Sequence, residues 1–142
     1  MMPNNKPISA AVLVCETVLA EKTGGPSAIR IMDALWIGQF SPAIRFFVLT
    51  YLHCTPGDFS SHTLKVQMVG RGGDDWAVVA EAKEESFVYG YAIDPSGPGG
   101  YMLTTEFTLD PKPLQIPRLY FIQAILDGEL ATQTPLTLLR KP

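Results

Sequence analysis

The chain has 142 residues, of which 46% are hydrophobic and 18% charged, and this composition is that of one globular domain rather than of a disordered segment. Its net charge of −3 argues against nucleic acid as a partner, because neutralising phosphates requires clustered Lys and Arg. No apolar run approaches the ~20 residues of a membrane span. We therefore expect neither a nucleic-acid nor a membrane partner.

The N-terminal end is polar and contains proline, so residues 1–7 are predicted to form a flexible arm and residues 8–142 a single domain. The apolar run that follows resembles the core of a signal peptide, but Glu16 interrupts it early. Without a secretion signal, Cys15 and Cys54 are expected to be reduced thiols in a cytoplasmic protein.

Apolar runs separated by Gly, Pro and Asp clusters predict a series of short strands. The predicted strands cover residues 8–20, 28–37, 43–54, 63–69, 76–82, 87–93, 102–109 and 118–126, with a last run that ends at Leu139. The first two are expected to pair as a hairpin, and the second to bulge near Asp33. Their number and spacing predict an all-β fold, a single antiparallel β-sandwich of immunoglobulin-like type with about eight strands.

The pair Asp127-Gly128 lies between the two final apolar runs. Asp-Gly at such a position is a strong hairpin signal, because a type I′ turn needs positive φ at both central residues. The strand before it, residues 118–126, is apolar on both faces, which predicts that both sides of this strand are at least partly covered.

Three local patterns follow one another along the chain: the Cys15-Glu16 pair, the His-Thr-Leu-x-Val run at residues 62–66 and the closing hairpin at residues 120–130. Their order resembles that in a family of small bacterial proteins classed as a domain of unknown function. The resemblance covers roughly residues 9–140 and implies an immunoglobulin-like β-sandwich without established catalytic residues. The chain departs from the family pattern at residues 23–26.

A thiol or metal site could in principle use the two cysteines with the two histidines, Cys15, His53, Cys54 and His62. However, neighbours on a strand point to opposite faces, and the close paired spacing of zinc ligands is absent. The acidic pairs at residues 74–75 and 84–85 also lack the alternating spacing of a calcium loop. We therefore predict no catalytic residue, no metal and no cofactor.

Two groups of side chains are candidates for contacts with other molecules. Phe47, Leu49 and Tyr51 form the second face of the predicted strand 43–54 and are a candidate interface of a homo-oligomer, most simply a dimer. Tyr89, Tyr91 and Tyr101 flank the longest loop, where they either form a binding rim or cap the end of the core.

From these features the expected function is that of a non-enzymatic interaction or assembly module whose partner is another copy or another protein. The alternatives are a structural component of a phage or injection-type assembly and an enzyme that uses the thiols or a metal.

Overall fold

The computed structural model describes residues 7–19, 27–38, 42–72, 75–91, 97–114, 116 and 118–141. These residues contain β-strands and no helix, arranged in two sheets. The strands are β1 (Ser9–Leu19), β2 (Ser27–Ile31), β3 (Ala34–Ile37), β4 (Ile44–His53), β5 (Ser61–Gly72), β6 (Asp75–Glu81), β7 (Glu85–Val88), β8 (Gly100–Leu109), β9 (Arg118–Leu126) and β10 (Glu129–Arg140).

The four-stranded sheet has the order β2-β1-β4-β8, and the six-stranded sheet contains β3-β10-β9-β5-β6 with β7 paired to β5. The predicted alternation in β4 and β5 is confirmed. Phe46, Val48 and Leu52 of β4, and Leu64 and Val66 of β5, are buried. A strand with every second side chain apolar can bury one face against an opposing sheet, and the core lies between these two sheets.

The strand count and the pairing differ from the predicted antiparallel eight-stranded arrangement. The described residues form ten strands, and β3 pairs with β10 in parallel. The run at residues 28–37 is not one bulged strand, because it divides at Asp33 between the two sheets. The backbone N–H of Met32 donates to Val14 of the four-stranded sheet, and that of Thr137 in the other sheet donates to Asp33. The all-β, two-sheet part of the prediction is confirmed.

The closing hairpin agrees with the prediction made from Asp127-Gly128. Leu126 pairs with Glu129, and the two residues between them have φ of 50° and 82°. Positive φ at both positions is the requirement of a type I′ turn. The first predicted hairpin is also present, because β1 pairs with β2 in antiparallel register.

The two faces of β9 have different environments. Tyr120, Ile122 and Ala124 point into the core and are at most 2% exposed, whereas Leu119 on the other face is 44% exposed. The expectation that both sides of this strand are at least partly covered agrees with Phe121 and Ile125 on the outer face, which are half-buried, but not with Leu119. The outer face of the six-stranded sheet is open in the described structure.

Two further expectations concern the N-terminal arm and membrane-spanning segments. Of the predicted arm, residues 1–6 lie outside the described residues. In the part of the chain that the structure describes, there is no helix with the length and apolarity needed to cross a membrane.

Candidate functional site

Both tryptophans of the sequence lie on the open face of the six-stranded sheet. Trp36 on β3 is 58% exposed and Trp76 on β6 is 51% exposed. Large aromatic side chains usually contribute to the core, because each buries a large apolar area. Two exposed tryptophans on one sheet face therefore indicate a contact surface. We call the outer side of this sheet, marked by Trp36, Arg71, Trp76, Leu119 and Phe121, the tryptophan face.

Strand alternation explains the outward position of both indole rings. On β3, Leu35 and Ile37 pack against the core, so Trp36 between them points outward. On β6, Trp76 pairs in register with Arg71, which alternates to the outer side of β5. The register shifts by one residue between Val78 and Ala80, beyond Trp76 along β6, and this bulge returns Glu81 to the outer side beside Gln67.

A shallow groove of about 220 Å³ lies on the tryptophan face, lined by Val69, Trp76, Phe121, Gln123 and Gln133. The rings of Trp76 and Phe121 form one wall and meet edge to face, with centroids 5.4 Å apart. Its other wall is polar, because two glutamine side chains end there. The groove therefore offers aromatic surface beside amide groups.

A ladder of three glutamine side chains crosses the face. Nε2 of Gln67 donates to Oε1 of Gln123 over 2.9 Å, and Nε2 of Gln123 donates to Oε1 of Gln133 over 3.0 Å. Each amide orients the next, so the three side chains are coupled. A fixed amide at a groove provides a defined donor or acceptor to a ligand.

The positive charges on the tryptophan face are Arg71 and Lys65. Lys65 pairs with Glu81 at 2.7 Å, whereas Arg71 is exposed and forms no ion pair with any of the described residues. Strand alternation directs Asp75, the neighbour of Trp76, to the other side of the sheet. Arg71 is thus a cation without an ion pair among the described residues, and it lies next to the exposed ring of Trp76.

A second group of polar residues surrounds the buried His62 at one end of the sandwich. We call Asp58, Ser60, His62 and Asp127 the His62 cluster. The imidazole of His62 is 2% exposed, with Nδ1 at 2.6 Å from Oδ2 of Asp127 and Nε2 at 2.9 Å from Oδ2 of Asp58. Both ring nitrogens therefore face a carboxylate, which is the arrangement of a doubly protonated imidazolium.

Burial and hydrogen bonding act in opposite directions on the groups of the His62 cluster. Burial alone lowers the pKa of His62, but the hydrogen bonds to Asp127 and Asp58 and the charges of both carboxylates outweigh it, so the pKa is raised. Burial raises the pKa of Asp58, but the hydrogen bonds from His62 and Ser60 lower it further than burial raises it. The charged form of both partners is favoured.

The contacts of Ser60, His62 and Asp127 resemble those of a Ser-His-Asp triad: the Ser60 hydroxyl is 3.2 Å from Nε2 of His62, and Asp127 contacts Nδ1. However, a general base must be unprotonated at the nitrogen that faces the nucleophile. Asp58 takes that nitrogen, and the Ser60 hydroxyl donates to Asp58 over 2.8 Å. The cluster is therefore arranged as an ion-paired support and not as a nucleophilic centre.

The three tyrosines predicted at the loop rim belong to or pack against a group of buried side chains at one end of the core, which includes Leu52, Leu64 and Phe87. Tyr89 is 4% exposed, and its hydroxyl is buried without a hydrogen-bond partner among the described residues. The Tyr91 hydroxyl donates to the backbone oxygen of Asp58 over 2.8 Å, and the Tyr101 ring stacks on Phe87 at 3.9 Å. These are positions that cap the end of the core.

The thiol and metal candidates are not brought together. Cys15 pairs in register with Phe47 and Ser9 with His53, so Cys15 and His53 are separated by six positions, roughly 20 Å along the strands. Cys54 lies next to the Tyr91 hydroxyl at 3.4 Å, and both cysteines are free and buried. Among the described residues, no three His, Cys, Asp or Glu side chains are grouped to hold a metal ion.

The candidate interface lies on the outer face of the four-stranded sheet and is less exposed than its apolar composition indicates. Leu49 is 8% exposed and Phe47 is half-buried beneath the guanidinium of Arg45, which lies 5.5 Å from the ring centroid. Tyr51 is 38% exposed. Of the three predicted side chains, Tyr51 presents the most surface.

The sequence interpretation missed the tryptophan face and the His62 cluster. Strand alternation could have identified Trp36 as outward, since its neighbours Leu35 and Ile37 are both apolar. Trp76 was not identifiable in this way, because its outward position follows from its pairing with Arg71 on β5. The pairing of His62 with Asp127 joins residues 65 positions apart and follows from the sheet order.

No family model and no curated protein matches this chain. Among solved structures, the chain is similar to the alkylpurine DNA glycosylase AlkC of Pseudomonas fluorescens bound to DNA containing an abasic site analog, with a TM-score of 0.51 and 10% identity. The match covers 90% of this chain and 30% of that one, so the chain spans less than a third of its length. At this identity the likeness shows a shared fold.

This finding corrects the expected function. The predicted non-enzymatic interaction or assembly module is wrong when set against a fold that occurs as one part of a DNA glycosylase. The physical reason for the error is that the prediction depended on the absence of a catalytic constellation in the sequence. A fold that serves as one part of a larger enzyme does not need a catalytic constellation of its own.

Proposed function

We propose that this domain holds a single nucleic-acid strand on its tryptophan face, in the service of an enzyme that acts on DNA. The observation that carries the proposal is the exposure of both tryptophans, Trp36 and Trp76, on one sheet face together with Arg71.

Aromatic side chains on a sheet are the usual platform for unpaired bases. Stacking of a base on an aromatic ring contributes about 1–3 kcal/mol and tolerates any sequence, because every base has a π-face. Trp36 and Trp76 lie on β3 and β6, at opposite edges of the order β3-β10-β9-β5-β6. Four strand spacings separate them by roughly 20 Å. A stacked strand rises about 3.4 Å per nucleotide, so roughly six nucleotides fit between the two rings.

The charge of the whole chain and the charge of this face lead to different expectations. The net charge of −3 predicts no nucleic-acid partner. On the tryptophan face, Arg71 is exposed beside Trp76 and the only acid near it in the described register, Asp75, alternates to the other side. A guanidinium beside an exposed ring can bind a phosphate while the ring stacks on a base. The proposal predicts weak, salt-dependent binding.

The fold likeness adds support of a different kind. AlkC is described as bound to DNA that contains an abasic site analog. A partner of the same chemical class is proposed here for a chain that shares the fold with part of that enzyme. The support from the side chains on the tryptophan face is independent of it.

Several finer expectations remain proposals beside this one. We propose an immunoglobulin-like topology and membership of the bacterial family that the sequence resembles, supported by the two packed, mostly antiparallel sheets. We propose a cytoplasmic location, supported by the two free cysteines. We also propose a homodimer through Phe47, Leu49 and Tyr51, supported by the 38% exposure of Tyr51.

The test is fluorescence anisotropy with a labelled single-stranded oligonucleotide of about twelve nucleotides. The intact protein should bind with a dissociation constant of about 1–100 μM, and added salt should weaken binding. Trp76→Ala should weaken it about tenfold, because the loss of one stacked base is worth about 1.4 kcal/mol. Arg71→Gln should weaken it and reduce the salt dependence.

Tyr51→Ala is the matched control, since it removes an exposed aromatic ring from the other sheet. It should leave the affinity unchanged. Equal affinities for the intact protein, Trp76→Ala and Arg71→Gln would contradict the proposal. Binding of a neutral oligosaccharide in place of the oligonucleotide would contradict it too, and would indicate a glycan as the ligand.

A further inference from the structure

The His62 cluster connects two separate parts of the chain. Asp58 lies on the segment between β4 and β5, which crosses from the four-stranded to the six-stranded sheet. Asp127 lies in the turn between β9 and β10. The imidazole of His62, at the start of β5, contacts both carboxylates. One buried ring therefore joins the crossing segment to the hairpin turn.

We propose that His62 is a proton-operated latch, which holds the crossing segment at residues 54–60 closed while both ring nitrogens donate to Asp58 and Asp127, and which releases Asp58 when one proton is lost.

The number of protons on the imidazole of His62 determines whether the latch is closed or open. An imidazolium has two N–H donors, one for each carboxylate, whereas a neutral imidazole has one donor and one acceptor. After loss of a proton, one carboxylate faces the lone pair of a ring nitrogen, and this contact is repulsive. At 2% exposure, water cannot replace the lost hydrogen bond without movement of the chain.

Asp58 is the partner that leaves, because Asp127 is fixed by the backbone. Oδ1 of Asp127 accepts from the N–H of Thr63 over 2.9 Å, and the N–H of Asp127 donates to the carbonyl of Thr63 over 2.9 Å. Asp58 is held by the N–H and the hydroxyl of Ser60, which lies on the same segment. Once His62 no longer fixes the Asp58 carboxylate, the contact of that carboxylate with the Ser60 N–H is loosened as well.

Other titratable groups face the ring from the neighbouring elements. Tyr89 approaches from the residue after β7, with ring centroids 5.1 Å apart. Burial, with the charges of Cys54, Asp58, Asp127 and Tyr91, raises the pKa of Tyr89 to about 12, so it stays neutral over the range in which an imidazole titrates. The Tyr91 hydroxyl and the Cys54 thiol contact each other at 3.4 Å, and Tyr91 donates to the backbone of Asp58.

Opening of the crossing segment changes the exposed apolar surface. Phe59 belongs to the crossing segment, is 63% exposed and packs on the Tyr91 ring with centroids 5.1 Å apart. The Tyr91 hydroxyl also donates to the backbone oxygen of Asp58. Release of the segment breaks this hydrogen bond and separates the Phe59 ring from the Tyr91 ring. The latch thereby controls how much apolar surface this end of the sandwich presents.

The test uses His53→Gln, which leaves His62 as the one histidine of the chain. The ring signals of His62 are followed by NMR from about pH 5 to about pH 9, and amide hydrogen exchange is measured over the same range. His62 should titrate above the ordinary 6.5, and the protection of the Ser60 amide should fall about tenfold as it does so, after correction for intrinsic exchange. The Thr63 amide, held by Asp127, should keep its protection.

Asp58→Asn is the second variant, and its Ser60 protection should not depend on pH. The Thr63 amide serves as the internal reference within the same molecule, so the test does not depend on the stability of that variant. A ring that titrates at or below 6.5 would overturn the latch. Equal pH dependence of the Ser60 and Thr63 amides would overturn it as well.

Discussion

Asp127 extends from the turn between β9 and β10 to His62 on β5, where its carboxylate lies 2.6 Å from Nδ1 of the imidazole. The same side chain accepts from the backbone N–H of Thr63. An aspartate that the sequence marks as a turn residue is thus also the anchor of a buried charge. The tight turn places it there, because Asp127 has a φ of 50°, in the left-handed region that Asp and Asn tolerate best.

The first prediction concerns this anchor. Asp127→Asn keeps the turn, since Asn adopts positive φ readily, but it replaces a charged acceptor with a neutral amide. We expect the free energy of unfolding to fall by about 1.5–3 kcal/mol, the range for hydrogen bonds to charged groups. Chemical denaturation measures this. Asp110→Asn is the control, because Asp110 is exposed and, among the described residues, accepts from the N–H of Lys112 alone, so its effect should be negligible.

The second prediction is a stability maximum in mildly acidic solution. The folded pKa of His62 is raised above 6.5, so its stabilisation is complete below that value and is lost as the pH rises through the folded pKa. The folded pKa of Asp58 is lowered below 3.8, so its stabilisation is present above that value and is lost as the pH falls through the folded pKa. Stability should therefore be highest between these two values.

Denaturation midpoints measured across this pH range check the second prediction. His53→Gln should keep the decline of stability at higher pH, because His53 is outside the His62 cluster and contacts Ser9. His62→Gln should lose it. A decline that persists in His62→Gln would assign it to another group.

The third prediction tests the packing between β5 and β9. A Cβ added at Gly70 would lie 2.6 Å from Cε1 of Tyr120, whose ring is 2% exposed and cannot move into solvent. Gly70→Ala should lower the free energy of unfolding by about 1–3 kcal/mol, as overpacked cores do. Gly90→Ala is the control, because the nearest atom to its added Cβ is 3.6 Å away. Equal losses in the two variants would contradict this account of the core.

The fourth prediction concerns association. If the homodimer uses Phe47, Leu49 and Tyr51, Phe47→Glu should produce monomers with the fold intact, because a carboxylate would be buried against the partner. Sedimentation and circular dichroism measure the two properties. Val88→Glu, at a 54% exposed position on the six-stranded sheet, should leave association unchanged. Unmutated protein that is already monomeric at micromolar concentration would end this proposal.

Local patterns predicted the strands well and their arrangement poorly. Alternation in β4 identified Phe46, Val48 and Leu52 as core residues, and Asp127-Gly128 identified the last turn. The division at Asp33 was not predictable in the same way, because it depends on backbone hydrogen bonds to both sheets, from Met32 to Val14 and from Thr137 to Asp33. Such non-local pairings leave no periodic signal in the strand that makes them.

The candidate site was predictable only in fragments for the same reason. Tyr91 was recognised as an aromatic near a loop, but its role depends on the backbone of Asp58, 33 positions away. Trp36 and Trp76 belong to strands at opposite edges of the six-stranded sheet. Their common face became visible only when the order of the strands was known.

The most direct test of the nucleic-acid proposal is intrinsic fluorescence, because both tryptophans of the chain are on the tryptophan face. A single-stranded oligonucleotide of about twelve nucleotides is added to the unmutated protein at physiological salt. The account predicts saturable quenching with a midpoint of about 1–100 μM, shared by Trp36→Phe and Trp76→Phe at reduced amplitude. Tryptophan emission that stays unchanged throughout the titration would contradict it.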